Sequence, residues 1–203
     1  MTERYQGLVK FSKEPFAKVM AHANVHIKTQ LDSPASAGVD VALGELDEKE
    51  AWVDLILALA TLLPGRERVW WACLAARDYV GPKSEKDPGP LAAAEAWVFA
   101  PTDENLNEVS SALDHAYVDD DTTHCAVSAL YANGQLGPGD LAQHPAPAGA
   151  SEAAAFAMNM VALGELSDKF EAHMQVLIDR ALDIARGGNG RVEAEDAETE
   201  ESA

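Results

Sequence analysis

The stretch DEKEAWVDLILALATLLPGRERVWWACLAARDYV, residues 47–80, decides the fold of this 203-residue chain. Asp47 and Glu50 have the spacing of a capping box, in which a short polar side chain takes an orphan backbone N–H and a carboxylate three residues on reaches back. A helix is therefore expected from Asp47 through Trp52, Leu55, Ile56, Leu59 and Leu63 to Pro64, which cannot continue the hydrogen-bond ladder. On a helical wheel Asp47, Glu50, Asp54 and Thr61 share one narrow stripe crossed only by Leu57, and the rest of the circumference is apolar. Such a rod is enclosed by other helices. Its apolar run, with Asp54 inside it, falls short of the roughly 18–20 residues a bilayer span needs.

Past the Pro64-Gly65 turn, Arg66 to Val80 reads as the return helix, with Val69, Ala72, Cys73, Ala76 and Val80 on its core face and Trp70 at the edge between Arg66 and Arg77. Trp71 points the other way, on the side of Glu67 and Asp78. Either a third helix covers it, or it is an exposed aromatic that anchors an interface. Trp71, Arg68, Glu67 and Asp78 are the candidate partner-binding residues on the second reading.

Working outward, Tyr5 to Phe11 reads as a short edge strand, and Pro15 opens a helix expected to reach at least Ala23; Phe16, Met20, Ala23, Ile27 and Leu31 keep its spacing, but β-branched Val25, Ile27 and Thr29 fray it before Leu31. Ser33-Pro34 leads into a short helix closing on Val41 to Leu46, VALGEL, a hexapeptide that returns at 161–166. Gly44 and Gly164 are expected to end one helix at each place, with Asp47 and Ser167 capping the next. Gly81 to Pro90 is a solvated connection, followed by a helix over about 91–100 and another capped by Thr102 with Leu106, Val109, Leu113, Ala116 and Tyr117 inward. Beyond the acidic corner Asp119 to Asp121, Thr122 opens a helix through Cys125 and Ala129. Gly134 to Ala150 is loop. Ser151 caps a helix with Phe156, Met160 and Leu163 inward, and Ser167 begins the last, whose stripe is Phe170, Met174, Leu177, Ala181 and Ile184. The expectation is an all-α single domain over 1–187, a bundle of eight or nine helices, followed by a disordered acidic tail over 188–203.

The formal charge is −19 at neutral pH; residues 191–203 carry six carboxylates and one Arg, which leaves −14 for residues 1–190. A body this acidic repels phosphate backbones, so nucleic acid and anionic membranes are disfavoured; the charge either simply keeps the protein soluble, the favoured reading, or meets a protein partner with a basic surface. Cys73 and Cys125, the only cysteines, sit among apolar neighbours and read as small buried hydrophobes rather than a disulfide. No cationic segment with an apolar core opens the sequence, which points to the cytoplasm.

The richest set of ligand-type side chains is His115, Asp119, Asp121 and His124, but the spacing matches neither an EF-hand loop nor a zinc signature. A solvated acidic corner capping the helix after it is the favoured reading, and a metal site the alternative. His22 and His26 stand one helical turn apart with no third ligand nearby. Gly134, Gly137 and Gly139 lack the Lys-Ser/Thr pair and preceding strand of a phosphate loop. No nucleophile elbow, zincin helix or kinase element occurs, and no cofactor is expected.

Leu63 to Cys73 (LPGRERVWWAC), Ala96-Trp97-Val98 with Pro101 and Asp103-Glu104-Asn105, and Ala129-Leu130 leading to Gly134, Leu136 and Pro138 resemble a bacterial family known as a domain of unknown function. The likeness covers about 63–163; it departs at Tyr131 to Gly134, where relatives have an aromatic-Ser-Gly-Gly stretch. It implies a helical, bacterial, cytoplasmic protein and brings no activity or catalytic residues. The function expected is that of a non-enzymatic adaptor or chaperone-like accessory in a bacterial assembly such as a secretion apparatus. The alternatives are an acidic inhibitor or immunity protein for a basic toxin, and a metal-dependent enzyme.

Overall fold

The computed structural model describes residues 3–191. They form nine α-helices and no strand: α1 (Phe16–His22), α2 (Val39–Glu48), α3 (Trp52–Leu62), α4 (Gly65–Val80), α5 (Gly89–Phe99), α6 (Asp103–Asp114), α7 (Thr123–Tyr131), α8 (Ala150–Glu165) and α9 (Phe170–Arg186). The segment read as an edge strand is a 3-10 turn at Glu3–Tyr5 and then irregular chain, because Gly7 has φ 71° and Val9 N–H bonds back to its carbonyl.

The α3–α4 hairpin is the centre of the bundle. Rod α3 packs against α1, α2, α8 and α9, and Leu55, Ile56, Ala58, Leu59 and Ala60 are fully buried. Each large aliphatic side chain so enclosed contributes about 2 kcal/mol. Wall α4 faces two cores at once. Trp71, Leu74 and Ala75 join the core built with α2, α3 and α9, while Val69, Ala72, Cys73 and Ala76 join the core built with α5, α6 and α7. At the hairpin, Leu63 is extended, as a residue before proline prefers, and Pro64 precedes the first turn of α4. Gly65 is required there, since a Cβ would run into the Ala132 carbonyl.

Several expected boundaries move. The capping box at Asp47 does not form: α2 continues to Glu48, Ala51 N–H bonds to the Leu46 carbonyl and Glu50 N–H to that of Asp47. Glu50 takes the left-handed conformation (φ 53°) that stops a helix, a position glycine usually holds. The α3 part of the narrow polar stripe, Asp54 and Thr61, is turned inward. Asp54 is buried and accepts from the Lys28 and Thr29 amides and the Thr29 hydroxyl, Thr61 donates to Leu57 O, and Val53 is 53% exposed instead. Gly44 lies inside α2 and Gly164 inside α8, so neither ends a helix; the two hexapeptides share instead the buried pairs Ala42-Leu43 and Ala162-Leu163.

Helix α1 ends at His22 because Asn24 turns left-handed (φ 53°), and the segment 24–38 continues as an irregular arm. Tyr117 is 82% exposed because α6 stops at Asp114. Thr102 caps α6 as expected, its Oγ1 accepting from Asn105 N–H at 3.2 Å. In α8 the buried residues are Ala154, Ala155, Met158 and Asn159 rather than Phe156 and Met160, and Ser151 lies within the first turn, bonded to Ser128 across α7. A 3-10 turn, Ser167–Lys169, precedes α9, so Phe170 is half exposed while the rest of its stripe is buried. Gly188 to Gly190, assigned by sequence to the tail, are tied back to the body, with Gly190 buried: Gly188 and Gly190 N–H bond to Asp183 and Trp70 Nε1 donates to Asn189 O at 2.7 Å. The remainder of the tail, 192–203, lies outside the described residues. No helix among the described residues is long and apolar enough to cross a membrane.

Candidate docking surfaces

Trp71, the first candidate for partner contact, is fully buried: α9 covers it, and its Nε1 donates to Leu177 O at 2.9 Å. The third-helix alternative is the one the fold adopts. Arg68 is also buried, held by the Ala60, Thr61 and Leu63 carbonyls, Ser151 Oγ and Glu152. Glu67 pairs with Lys10 at 2.9 Å. Asp78 takes both terminal nitrogens of Arg180, and His173 Nε2 lies 3.3 Å away. All four are engaged within the fold and do not make a shared patch.

Among the described residues no group of three or more His, Cys, Asp and Glu side chains is placed to hold a metal ion. The His115 ring meets the Ser111 carbonyl at 2.7 Å. Within the corner Asp120 accepts from the Thr122 amide and hydroxyl, a turn that leads into α7, and no side chain caps that helix. His22 ends α1 and His26 lies in the arm, so they are not one turn apart on a helix. Gly134 and Gly139 have positive φ and shape turns of the loop between α7 and α8. Cys73 and Cys125 are free thiols in the α4–α7 contact; hydrogen bonding to Cys125 and burial both raise the Cys73 pKa, so it stays an uncharged packing residue.

The charge is partitioned along the chain in a way net charge conceals. Residues 87–168 contain 13 Asp and Glu and no Lys or Arg, so this segment alone supplies −13. It comprises α5, α6, α7 and α8, one half of the bundle. Three of its carboxylates are matched by arginines of α4: Arg77 holds Glu95 at 2.7 Å and Asp87 at 2.6 Å, lowering the Asp87 pKa to about 2, and Arg68 holds Glu152 at 2.8 Å. The others include the outer residues of α6 and the corner beyond it, where Tyr117 and Val118 are fully or nearly fully exposed among Asp114, Asp119 and Asp121. An exposed aromatic beside an aliphatic, flanked along the chain by exposed carboxylates, has the composition of an anchor with a charged rim. The signal was present in the sequence as a run of 82 residues without a cation.

No curated protein and no solved structure matches the chain. A profile does match residues 42–185, from within α2 to the end of α9, extending at both ends the 63–163 likeness read from the double-tryptophan block. The chain belongs to the family of unknown function DUF6931.

Proposed function

We propose that the protein is a non-enzymatic binding accessory, an adaptor or chaperone-like part of a bacterial assembly in the cytoplasm, whose acidic half docks on a basic surface of another protein. The observation that carries this reading is the corner where Tyr117 and Val118 stand exposed between Asp114, Asp119 and Asp121 on the half without lysine or arginine. The aromatic supplies contact area at small entropic cost, and the one-signed field around it orients an approaching cationic surface. The test is parallel capture from the native host with the wild-type chain and with a Tyr117→Ala, Asp119→Lys, Asp121→Lys variant. These side chains are solvent-facing, so circular dichroism should show the same fold. The expected result is a basic protein held by the wild type and lost from the variant; equal retention by both would remove the corner from the account.

The same field supports a second reading, an acidic inhibitor or immunity protein masking a basic toxin. It differs in requiring one tight partner whose own activity disappears on binding.

A further inference from the structure

At the junction of the start of α4 with the ends of α5 and α9, a cleft of about 360 Å³ is lined by Lys10, Arg66, Trp70, Phe99, Asn189 and Arg191, among others. It lies outside the acidic half's anchor and has the opposite character. Trp70 and Phe99 meet edge to face with ring centroids 5.8 Å apart, and Phe99 is 64% exposed. The Trp70 ring is fixed by its Nε1 bond to Asn189 O at 2.7 Å, and the Arg191 guanidinium lies 6.0 Å over its centroid. Arg66 is exposed and oriented by its Nε bond to Val98 O at 2.6 Å; among the described residues no carboxylate is within ion-pair distance of it. Lys10 is already matched by Glu67 at 2.9 Å.

We propose that this cleft binds an acidic peptide segment of another protein, one that places an aromatic or large aliphatic side chain against Trp70 and Phe99 and a neighbouring carboxylate on Arg66. The inference stands whether or not the acidic corner is a docking point. The charges decide the class of ligand. With Lys10 matched by Glu67, the cations that face the two rings among the described residues are Arg66 and Arg191, which suit one or two carboxylates and fall short of a nucleotide's di- or triphosphate. An adaptor carrying both surfaces would join a basic partner to an acidic segment.

The test uses the full ¹⁵N-labelled chain, whose four tryptophan indole N–H signals are assigned by single substitutions, titrated with a capped peptide carrying one phenylalanine flanked by two glutamates on each side. Saturable displacement of the Trp70 signal is expected, weakened by about tenfold in Arg66→Glu, the size of one charge-assisted pair, and further by added salt. Phe99→Ala, another exposed position, should weaken it independently. An unmoved Trp70 signal, or equal binding by a peptide with lysine in place of glutamate, would overturn the proposal. So would tighter binding of ATP at the same signal, which makes it a nucleotide site. Binding seen only after removal of residues 192–203 would also overturn it, making the chain's own acidic end the occupant.

Discussion

Replacing Arg68 with Met is the sharpest probe of how the central hairpin is held. Ala60 would bond its carbonyl to the amide of residue 64, but that residue is Pro64 and has no N–H. Arg68 Nε supplies the missing donor at 2.6 Å, and its terminal nitrogen reaches Leu63 O at 2.9 Å and Glu152 Oε1 at 2.8 Å. Met fills much of the same volume and donates nothing. Two buried carbonyls lose a charged donor, and Glu152, at 16% side-chain exposure, loses its cation. Together these losses amount to about 3–5 kcal/mol, or a fall in melting temperature of roughly 10 °C. Urea denaturation followed by circular dichroism measures it. Adding Glu152→Gln to Arg68→Met should return about 1–2 kcal/mol by removing the stranded carboxylate. A loss under about 1 kcal/mol for Arg68→Met would show that the corner does not depend on this side chain.

Three further outcomes follow from particular residues. Trp71→Ala should cost about 3–5 kcal/mol in the same assay, since it empties a fully enclosed site under α9; a change below about 1 kcal/mol contradicts the burial. Glu50→Gly should raise stability by roughly 0.5–1 kcal/mol by relieving a left-handed non-glycine residue, and a loss there would contradict the helix stop between α2 and α3. Burial lowers the His173 pKa, with Arg180 adding to the effect and Asp78 opposing it. The folded protein therefore takes up that proton less readily than the unfolded chain. Stability falls as pH drops through 6.5 toward the lower folded value, and His173→Gln should flatten urea midpoints between about pH 7.5 and 5. An unchanged slope in that variant would clear His173 of the effect.

The elements that were legible in the sequence are those whose causes are local. The Leu63-Pro64-Gly65 break, the Thr102 cap, and the stripe of α9 from Met174 to Ile184 each follow from a residue acting on its own neighbours. What was misread depends on distant groups. Asp54 looks like a polar residue on a narrow stripe until the arm 24–38 arrives to donate its amides, an arm that Glu45 also holds through the Asp32 and Ser33 amides. Hydrogen bonding by Lys49 first, then by those amides, lowers the Glu45 pKa to about 2, so the clasp stays charged over the whole neutral range. Glu50 as a helix stop had no glycine to announce it. Of the two adjacent tryptophans, the sequence singled out Trp71, whereas Trp70 is the one at the surface, because α4 buries two faces rather than one. The cation-free run 87–168 is legible residue by residue, whereas the net charge averages it away.

On the proposed function, a charge-polarised body finds its partner through the half built from residues 87–168. The most direct measurement is the association rate constant of the captured partner, by stopped flow, from 50 mM to 500 mM salt, for the wild type and the corner variant. The wild-type rate should fall by one to two orders of magnitude across that range, roughly the span of electrostatic steering, and the variant should start slow and respond little. A wild-type rate indifferent to salt, or a variant that matches it throughout, would contradict the claim.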